Sequence, residues 1–251
     1  MDWFPTMELR QRIADITDLL IDAYHADKPM AVHGAPLPPV DELVLTYLSQ
    51  STTDVNSWRG FQALTARFPD WDAVADAPVE AVEEAIRPCG LAHQKAPRIQ
   101  GALQRLRTEH GRITLDFLRD LPVDEARDYL LSFHGVGRKT ASCVLLFSLG
   151  MPAMPVDTHV LRVARRLQLI PERATAEQAH DLLEALLPEE RYYAFHVNMI
   201  AHGRLTCAAQ RPACPRCPVR RLCPFPGTAA GGTGEEGLPS KVSGNNSAEF
   251  A

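Results

Sequence analysis

The amino-acid sequence predicts an all-α protein, because apolar residues recur at helical spacing along most of the chain. A representative run is Ile99, Leu103 and Leu106, which would share one face of a helix. Strict alternation of apolar and polar residues, the pattern of a half-buried strand, forms no convincing run. Helix boundaries are also marked: Thr175 with Gln178 has the spacing of a capping box. We therefore expect helices packed on helices.

Helices are predicted over about residues 8–24 and 40–50, with a proline-rich linker over 27–39 between them. The tail, 224–251, is rich in Gly, Ser and Thr and has few large apolar residues, so burial cannot offset its ordering entropy and we expect disorder. The 251 residues are 45% hydrophobic, enough for one large core or two modest ones. With neither a secretory signal nor a long apolar run, a soluble intracellular protein is expected.

Basic and acidic residues are concentrated in different segments of the chain. The formal net charge of -5 argues against a nucleic-acid partner. However, the segment from Arg191 to Cys223 holds six arginines, Arg211 and Arg216 among them, and no Asp or Glu. Acidic residues gather instead over 69–84. The basic segment is either a phosphate-binding surface or a solvated basic face.

Four of the six cysteines crowd into a short C-terminal stretch. The spacing is Cys207, six residues, Cys214, two residues, Cys217, five residues and Cys223. Without a secretory signal, metal ligation explains this cluster better than disulfides do. Both an iron-sulfur centre and a zinc site use cysteine thiolates. The other two cysteines, Cys89 and Cys143, are interpreted as small core residues.

A helical hairpin is predicted from a helix over about 123–133, a turn at Gly135–Gly137 and a second helix over about 138–149. Glycines let the backbone of such a turn approach a ligand such as a DNA phosphate, although an ordinary helix–helix turn is the alternative. Lys139 lies at the start of the second helix. A lysine beside positive partial charge and partly removed from water loses its proton more readily, as a nucleophile must, whereas the alternative is a plain surface lysine.

Asp157 precedes another amphipathic helix and is expected to cap it by accepting backbone N–H bonds. A capping role alone explains its presence. A carboxylate held in this way could also stabilise a cation that develops at a sugar carbon. Asp157 is therefore a candidate catalytic residue as well as a helix cap.

Together these motifs resemble the endonuclease III family of helix-hairpin-helix DNA glycosylases. The resemblance is carried by Gly135-Val136-Gly137-Arg138-Lys139-Thr140-Ala141, by Pro155-Val156-Asp157-Thr158-His159 and by the cysteine spacing, and it extends over roughly residues 40–223. It implies a six-helix barrel lobe over about 32–151, and a second lobe of 1–31 and 152–223 with a 4Fe-4S cluster on the four cysteines. It also implies a monomer that binds double-stranded DNA containing damaged bases or abasic sites, in bacterial cytoplasm at the nucleoid, and not at a membrane.

The resemblance further implies a bifunctional glycosylase and abasic-site lyase of base excision repair, acting on oxidised pyrimidines. Lys139 matches the family nucleophile and Asp157 the catalytic carboxylate; the two are expected to lie close together. Leu91 matches an apolar wedge, and either Gln50 or Ser51 fills the gap left by the flipped base. The implied DNA contacts are Gly135, Val136, Gly137, Arg138, Thr140, Gln50, Ser51, Leu91, Arg211 and Arg216.

Two departures from the family pattern bear on base choice: His134 stands where a proline usually opens the hairpin, and residues 111–131 are longer than in common members. One rival interpretation is a monofunctional glycosylase of the same superfamily, against which Lys139 argues. Another is a noncatalytic DNA-binding protein with a zinc site, which the net acidity favours.

Overall fold

A computed structural model describes residues 5–25 and 36–225, and every regular element in those ranges is helical. The predicted all-α fold is thus confirmed. The α-helices are α1 (Met7–Tyr24), α2 (Pro39–Ser49), α3 (Asp54–Arg67), α4 (Trp71–Asp76), α5 (Val79–Ala85), α6 (Ala92–His110), α7 (Val123–Leu131), α8 (Arg138–Cys143), α9 (Thr158–Arg166), α10 (Ala176–Leu186) and α11 (Tyr192–Leu205). Short 3-10 turns include Arg87–Cys89, Cys214–Arg216 and Arg220–Leu222.

The described residues divide into two compact units, one made of 36–155 and the other of 5–25 with 156–225. In the first unit α6 packs against α4 and α5, and α2 packs against α3 and α8. Its core is mostly aliphatic and includes Leu43, Leu48, Leu64, Ile86, Ile99, Leu103, Leu130 and Leu145. Cys89 and Cys143 are both buried in this unit, as predicted.

In the second unit α11 packs against both α1 and α9. Ile13, Ile16 and Leu20 place one face of α1 in the core, with Val163 of α9 and Phe195 of α11 also buried. The capping box at Thr175 and Gln178 is present at the start of α10, which confirms that prediction.

Two predicted helix boundaries were wrong. Helix α7 ends at Leu131, before Phe133, and the predicted helix over 138–149 is α-helical only to Cys143. It continues as a π-helical turn over Val144–Ser148, in which the Leu149 N–H donates to the Val144 carbonyl at 3.2 Å. The five-residue spacing of that bond inserts an extra residue into the turn, an irregularity that the apolar pattern does not encode.

The proline-rich linker and the C-terminal tail fall largely outside the described residues, which omit 1–4, 26–35 and 226–251. Within the described ranges, no helix has both the length and the apolar character needed to cross a bilayer.

Candidate functional site

Lys139 is the second residue of α8 and is half-buried, directly after the glycine turn. The turn begins with the Val136 N–H donating to the Phe133 carbonyl at 3.1 Å, while the Val136 side chain packs into the core. Gly137 is the N-cap of α8. The predicted helix, turn and helix are therefore present, although the Val136 N–H is used within the turn.

Gly135 meets two requirements that only glycine satisfies here. Its φ is 81°, in the left-handed region. A Cβ at this position would also lie 2.9 Å from Cδ of Arg98, a residue of α6. Gly135 is thus closely packed against the Arg98 side chain of α6.

The chain has few lysines, so few side-chain amines are candidates for the nucleophile. The chain has four lysines, Lys28, Lys95, Lys139 and Lys241, and only Lys95 and Lys139 lie among the described residues. Lys95 is 1% exposed, and its Nζ donates to the carbonyls of Leu48 and Cys89, both at 2.8 Å. Of these two amines, Lys139 is the one that a ligand can reach.

Glu42 of α2 is a second ionisable group near Lys139 that sequence reasoning missed. Burial raises the pKa of Glu42 to about 7, and the positive charge of Lys139 and a hydrogen bond with Thr46 oppose that rise. A signal was present, because Glu42 lies beside the buried positions Leu43 and Thr46 on a short, mostly apolar helix. Glu42 therefore changes charge near neutral pH beside the candidate nucleophile.

The end of α2 is bonded to the hairpin. The Tyr47 hydroxyl donates to the His134 carbonyl at 3.0 Å, and Gln50 Nε2 donates to the Gly135 carbonyl at 3.0 Å. Ser51, by contrast, is exposed with a φ of 55°. Of the two candidates for the base-replacing position, Gln50 supports the turn and Ser51 faces solvent.

Leu91 has the exposure expected of a wedge. It is 45% exposed, and its φ of 50° follows a φ of 65° at Gly90. Left-handed backbone at a leucine is strained and persists only where the surroundings hold it. Leu91 is also the N-cap of α6, and its carbonyl accepts from the Lys95 N–H at 3.0 Å, so the helix fixes its position.

Asp157 caps α9, as predicted: its Oδ1 accepts from the Val160 N–H at 2.7 Å. It belongs to the second unit, whereas Lys139 belongs to the first. Near it, burial lowers the pKa of His159, whose Nδ1 lies 3.1 Å from Nη2 of Arg162. Because an arginine can only donate, His159 is a neutral acceptor at this nitrogen.

The four clustered cysteines line one cavity of the second unit. Its empty volume is about 320 Å³, part of it open to solvent, and Arg166, His202, Thr206 and Phe225 are among its other walls. Burial raises the pKa of Cys217 to about 11 and also raises that of Cys223. Over the described ranges, no group of three or more His, Cys, Asp or Glu side chains is placed to hold a single metal ion.

Two arginines of α9 donate hydrogen bonds to the end of α11 and to the start of the cysteine loop. Arg162 Nη2 donates to the Gly203 carbonyl at 2.8 Å and to the Cys207 carbonyl at 3.1 Å. Arg166 donates to the Ala208 carbonyl at 2.7 Å and to Cys207 Sγ at 3.2 Å. Sequence reasoning missed both, although their spacing of four places them on one face of α9.

His202 is buried against the cysteines. Burial, reinforced by Arg162, lowers the pKa of His202 to about 4, so the ring is neutral at physiological pH. Its Nδ1 lies 3.0 Å from the Tyr24 hydroxyl, and its Nε2 lies 3.8 Å from Cys217 Sγ.

The predicted DNA contacts Arg211 and Arg216 are exposed on the cysteine loop. The remaining predicted contacts lie at the start of α8, where Arg138 is half-buried and Thr140 is buried.

Comparison with known proteins agrees with this geometry. Residues 44–189 match the family described as HhH-GPD superfamily base excision DNA repair protein. A putative DNA glycosylase of Arabidopsis thaliana is 42% identical over 166 residues, covering 66% of this chain and 57% of that protein. The DNA glycosylase/AP lyase ROS1 of the same plant is 39% identical over 171 residues, or 61% of this chain but only 12% of ROS1. The chain thus spans little more than half of the first relative and a small part of the second.

Endonuclease III of Synechocystis sp. is matched over most of its length, with 36% identity across 187 residues, 74% of this chain and 81% of that enzyme. The solved structure of a non-covalent endonuclease III–DNA complex has 30% sequence identity and a TM-score of 0.75, over 88% of this chain and 97% of that one. The chain therefore belongs to the HhH-GPD superfamily of base excision DNA repair proteins and, within it, to the endonuclease III family.

Proposed function

We propose that this protein is a bifunctional DNA glycosylase and abasic-site lyase that acts on damaged double-stranded DNA. The observation that carries the proposal is the position of Lys139, a half-buried amine at the start of α8 directly after the glycine turn. A monofunctional glycosylase has no need of an amine there. The relatives described as endonuclease III and as DNA glycosylase/AP lyase support the same assignment.

In this mechanism the damaged nucleotide is first flipped out of the duplex. The Lys139 nitrogen forms a bond to C1′ while the bond from C1′ to the base breaks, and the base leaves with the electron pair. Loss of the amine proton and opening of the sugar ring give a Schiff base. Removal of a C2′ proton then expels the 3′ phosphate by β-elimination, which cuts the strand.

Asp157 is assigned the carboxylate role. One of its oxygens, Oδ1, accepts the capping bond from Val160, which fixes the orientation of the group. A carboxylate can accept further bonds and stabilise a positive sugar through its second oxygen.

For the cysteine cavity we propose a 4Fe-4S cluster held by Cys207, Cys214, Cys217 and Cys223. A cubane cluster takes its four thiolates at separate corners and needs a cavity between them, as these cysteines provide. A zinc ion would instead need the sulfurs to converge to about 2.3 Å from one point. The cluster would be structural, organising the loop that carries Arg211 and Arg216 towards phosphates.

The most direct activity test uses the full chain and a duplex with a single abasic site, in chelator. We expect strand cleavage that leaves an unsaturated 3′ aldehyde, because β-elimination by an amine needs no divalent ion. Release of a damaged base without strand cleavage would indicate the monofunctional rival, and binding without either product the noncatalytic one. A lesion panel extends the test to base choice, for which we propose oxidised pyrimidines.

Changing Glu42 to Gln is expected to move the pH dependence of Schiff-base trapping to lower pH. Above pH 7 the Glu42 carboxylate is charged and favours the ammonium form of Lys139, which cannot attack; below pH 7 it is neutral. A glutamine is neutral at every pH, so the trapping rate at pH 8 should rise roughly twofold to tenfold, the equivalent of at most one pKa unit. The exposed Glu80 gives the control Glu80→Gln, which should leave the profile in place. An unchanged profile in Glu42→Gln would show that the two charges do not interact.

A further inference from the structure

Lys95 occupies an uncommon position for a lysine. Its side chain is 1% exposed, and burial lowers its pKa. Lysine is rarely buried unless its ammonium group has specific partners. Here the partners are two backbone carbonyls, each 2.8 Å from Nζ.

Those two carbonyls lie at the ends of two different elements. The Leu48 carbonyl is among the last four of α2, which have no partner within the helix, and the Cys89 carbonyl belongs to the last residue of the 3-10 turn Arg87–Cys89. A cation is stabilised at such helix ends by the aligned backbone dipoles. One ammonium group therefore binds two segments together that are 41 residues apart in sequence.

Each of these segments leads directly into a residue with left-handed backbone. Ser51, three residues after Leu48, has a φ of 55°, and Leu91, two residues after Cys89, has a φ of 50°. Both are exposed, and both are strained conformations that need support from their surroundings.

We propose that Lys95 is a positioning residue that holds the Leu91 wedge and the Ser51 segment in fixed register, so that both enter the duplex together. It does not touch the substrate. The inference rests on the proposed function, because it concerns how that enzyme opens a damaged duplex. Coupled insertion matters, since the wedge must unstack the helix while the gap left by the flipped nucleotide is filled.

The test compares Lys95→Met with Gln100→Met. Gln100 is a matched control: it is also a buried residue of α6 whose side chain donates to two carbonyls, those of Val74 and Ala77 at 2.9 and 2.8 Å. The readout is the fluorescence of 2-aminopurine opposite a non-cleavable abasic analogue, which rises when the base is unstacked. Trapping on single-stranded abasic DNA is measured alongside, because a single strand has no duplex to open.

We expect Lys95→Met to lower the equilibrium constant of the fluorescence step by about tenfold or more relative to wild type, the order set by loss of a hydrogen bond to a charged group. The trapping rate of Lys95→Met should fall more on abasic duplex than on single-stranded abasic DNA, by about the same factor. Gln100→Met should retain the fluorescence step. Equal losses in the two variants, or equal losses on the two substrates, would overturn the proposal.

Two further comparisons keep the outcomes separate. Lys95→Gln retains two N–H donors without the charge and should fall between wild type and Lys95→Met; if Lys95→Met does not fold, Lys95→Gln against Gln100→Met decides. Failure of the wild-type protein to trap single-stranded abasic DNA would instead reject the proposed lyase function. A wild type that traps normally, with variants that all behave alike, rejects only the role of Lys95.

Discussion

Replacing Lys139 with Gln is expected to abolish the borohydride-trapped complex with abasic DNA and to lower the rate of strand cleavage by roughly 10⁴-fold or more, the order seen when a catalytic nucleophile is removed. Glutamine keeps the length and polarity of the side chain but has no basic amine. Because the other described lysine, Lys95, is buried and bonded to two carbonyls, it cannot substitute. Gel electrophoresis of reduced reactions measures both quantities.

Two variants control for binding and folding. Arg138→Gln removes the neighbouring cation and should weaken DNA affinity while the complex still traps at saturating DNA. Asp157→Asn keeps an oxygen that can cap α9, so thermal stability should change little, yet turnover should fall by about 10²–10⁴-fold. Retention of trapping in Lys139→Gln would assign the chemistry to another amine.

Changing Cys214 to Ser is expected to remove the iron and the broad absorbance near roughly 400 nm that cysteine-ligated clusters give. Because metal binding contributes directly to folding in such loops, we expect the protein to lose several kcal/mol of stability. A loss of roughly 3 kcal/mol would lower the Tm by about 6–12 °C in a chain of this size. Iron analysis, absorbance and thermal melting measure these effects on the purified protein.

Cys89→Ala is the matched control, because Cys89 is a buried cysteine of the other unit, with its Sγ 3.3 Å from the Asn56 carbonyl, and it does not line the cavity. Its iron content should equal that of the wild type. A colourless wild-type protein with one equivalent of zinc would show that the four cysteines hold zinc and not an iron-sulfur cluster.

Local sequence signals predicted the elements whose causes are themselves local. The capping box at Thr175 and the capping carboxylate of Asp157 each depend on residues within three positions, and both are present. The glycine turn was likewise predictable, since Gly135 adopts a φ of 81°. The family assignment followed from three such motifs in order.

Features set by packing between distant segments were not predicted. Lys95 lies one turn before Ile99 on the apolar face of α6, so its position on that face could be predicted. The two carbonyls that it binds belong to other elements, and the sequence does not indicate them. The charge change of Glu42 near pH 7 depends on burial and on Lys139, about a hundred residues away in sequence. The π-helical turn after Cys143 likewise depends on its buried surroundings, since Val144, Leu145 and Ser148 are all buried.

Peptide mapping of the reduced complex tests most directly whether the Lys139 nitrogen bonds to the deoxyribose. Trypsin does not cut after a modified lysine, so an adduct on Lys139 would appear on the single peptide 139–162, which begins after Arg138 and ends at Arg162. We predict that the sugar mass lies on Lys139 in that peptide. An adduct found instead on Lys95, on another lysine or on the N-terminal amine would contradict the mechanism.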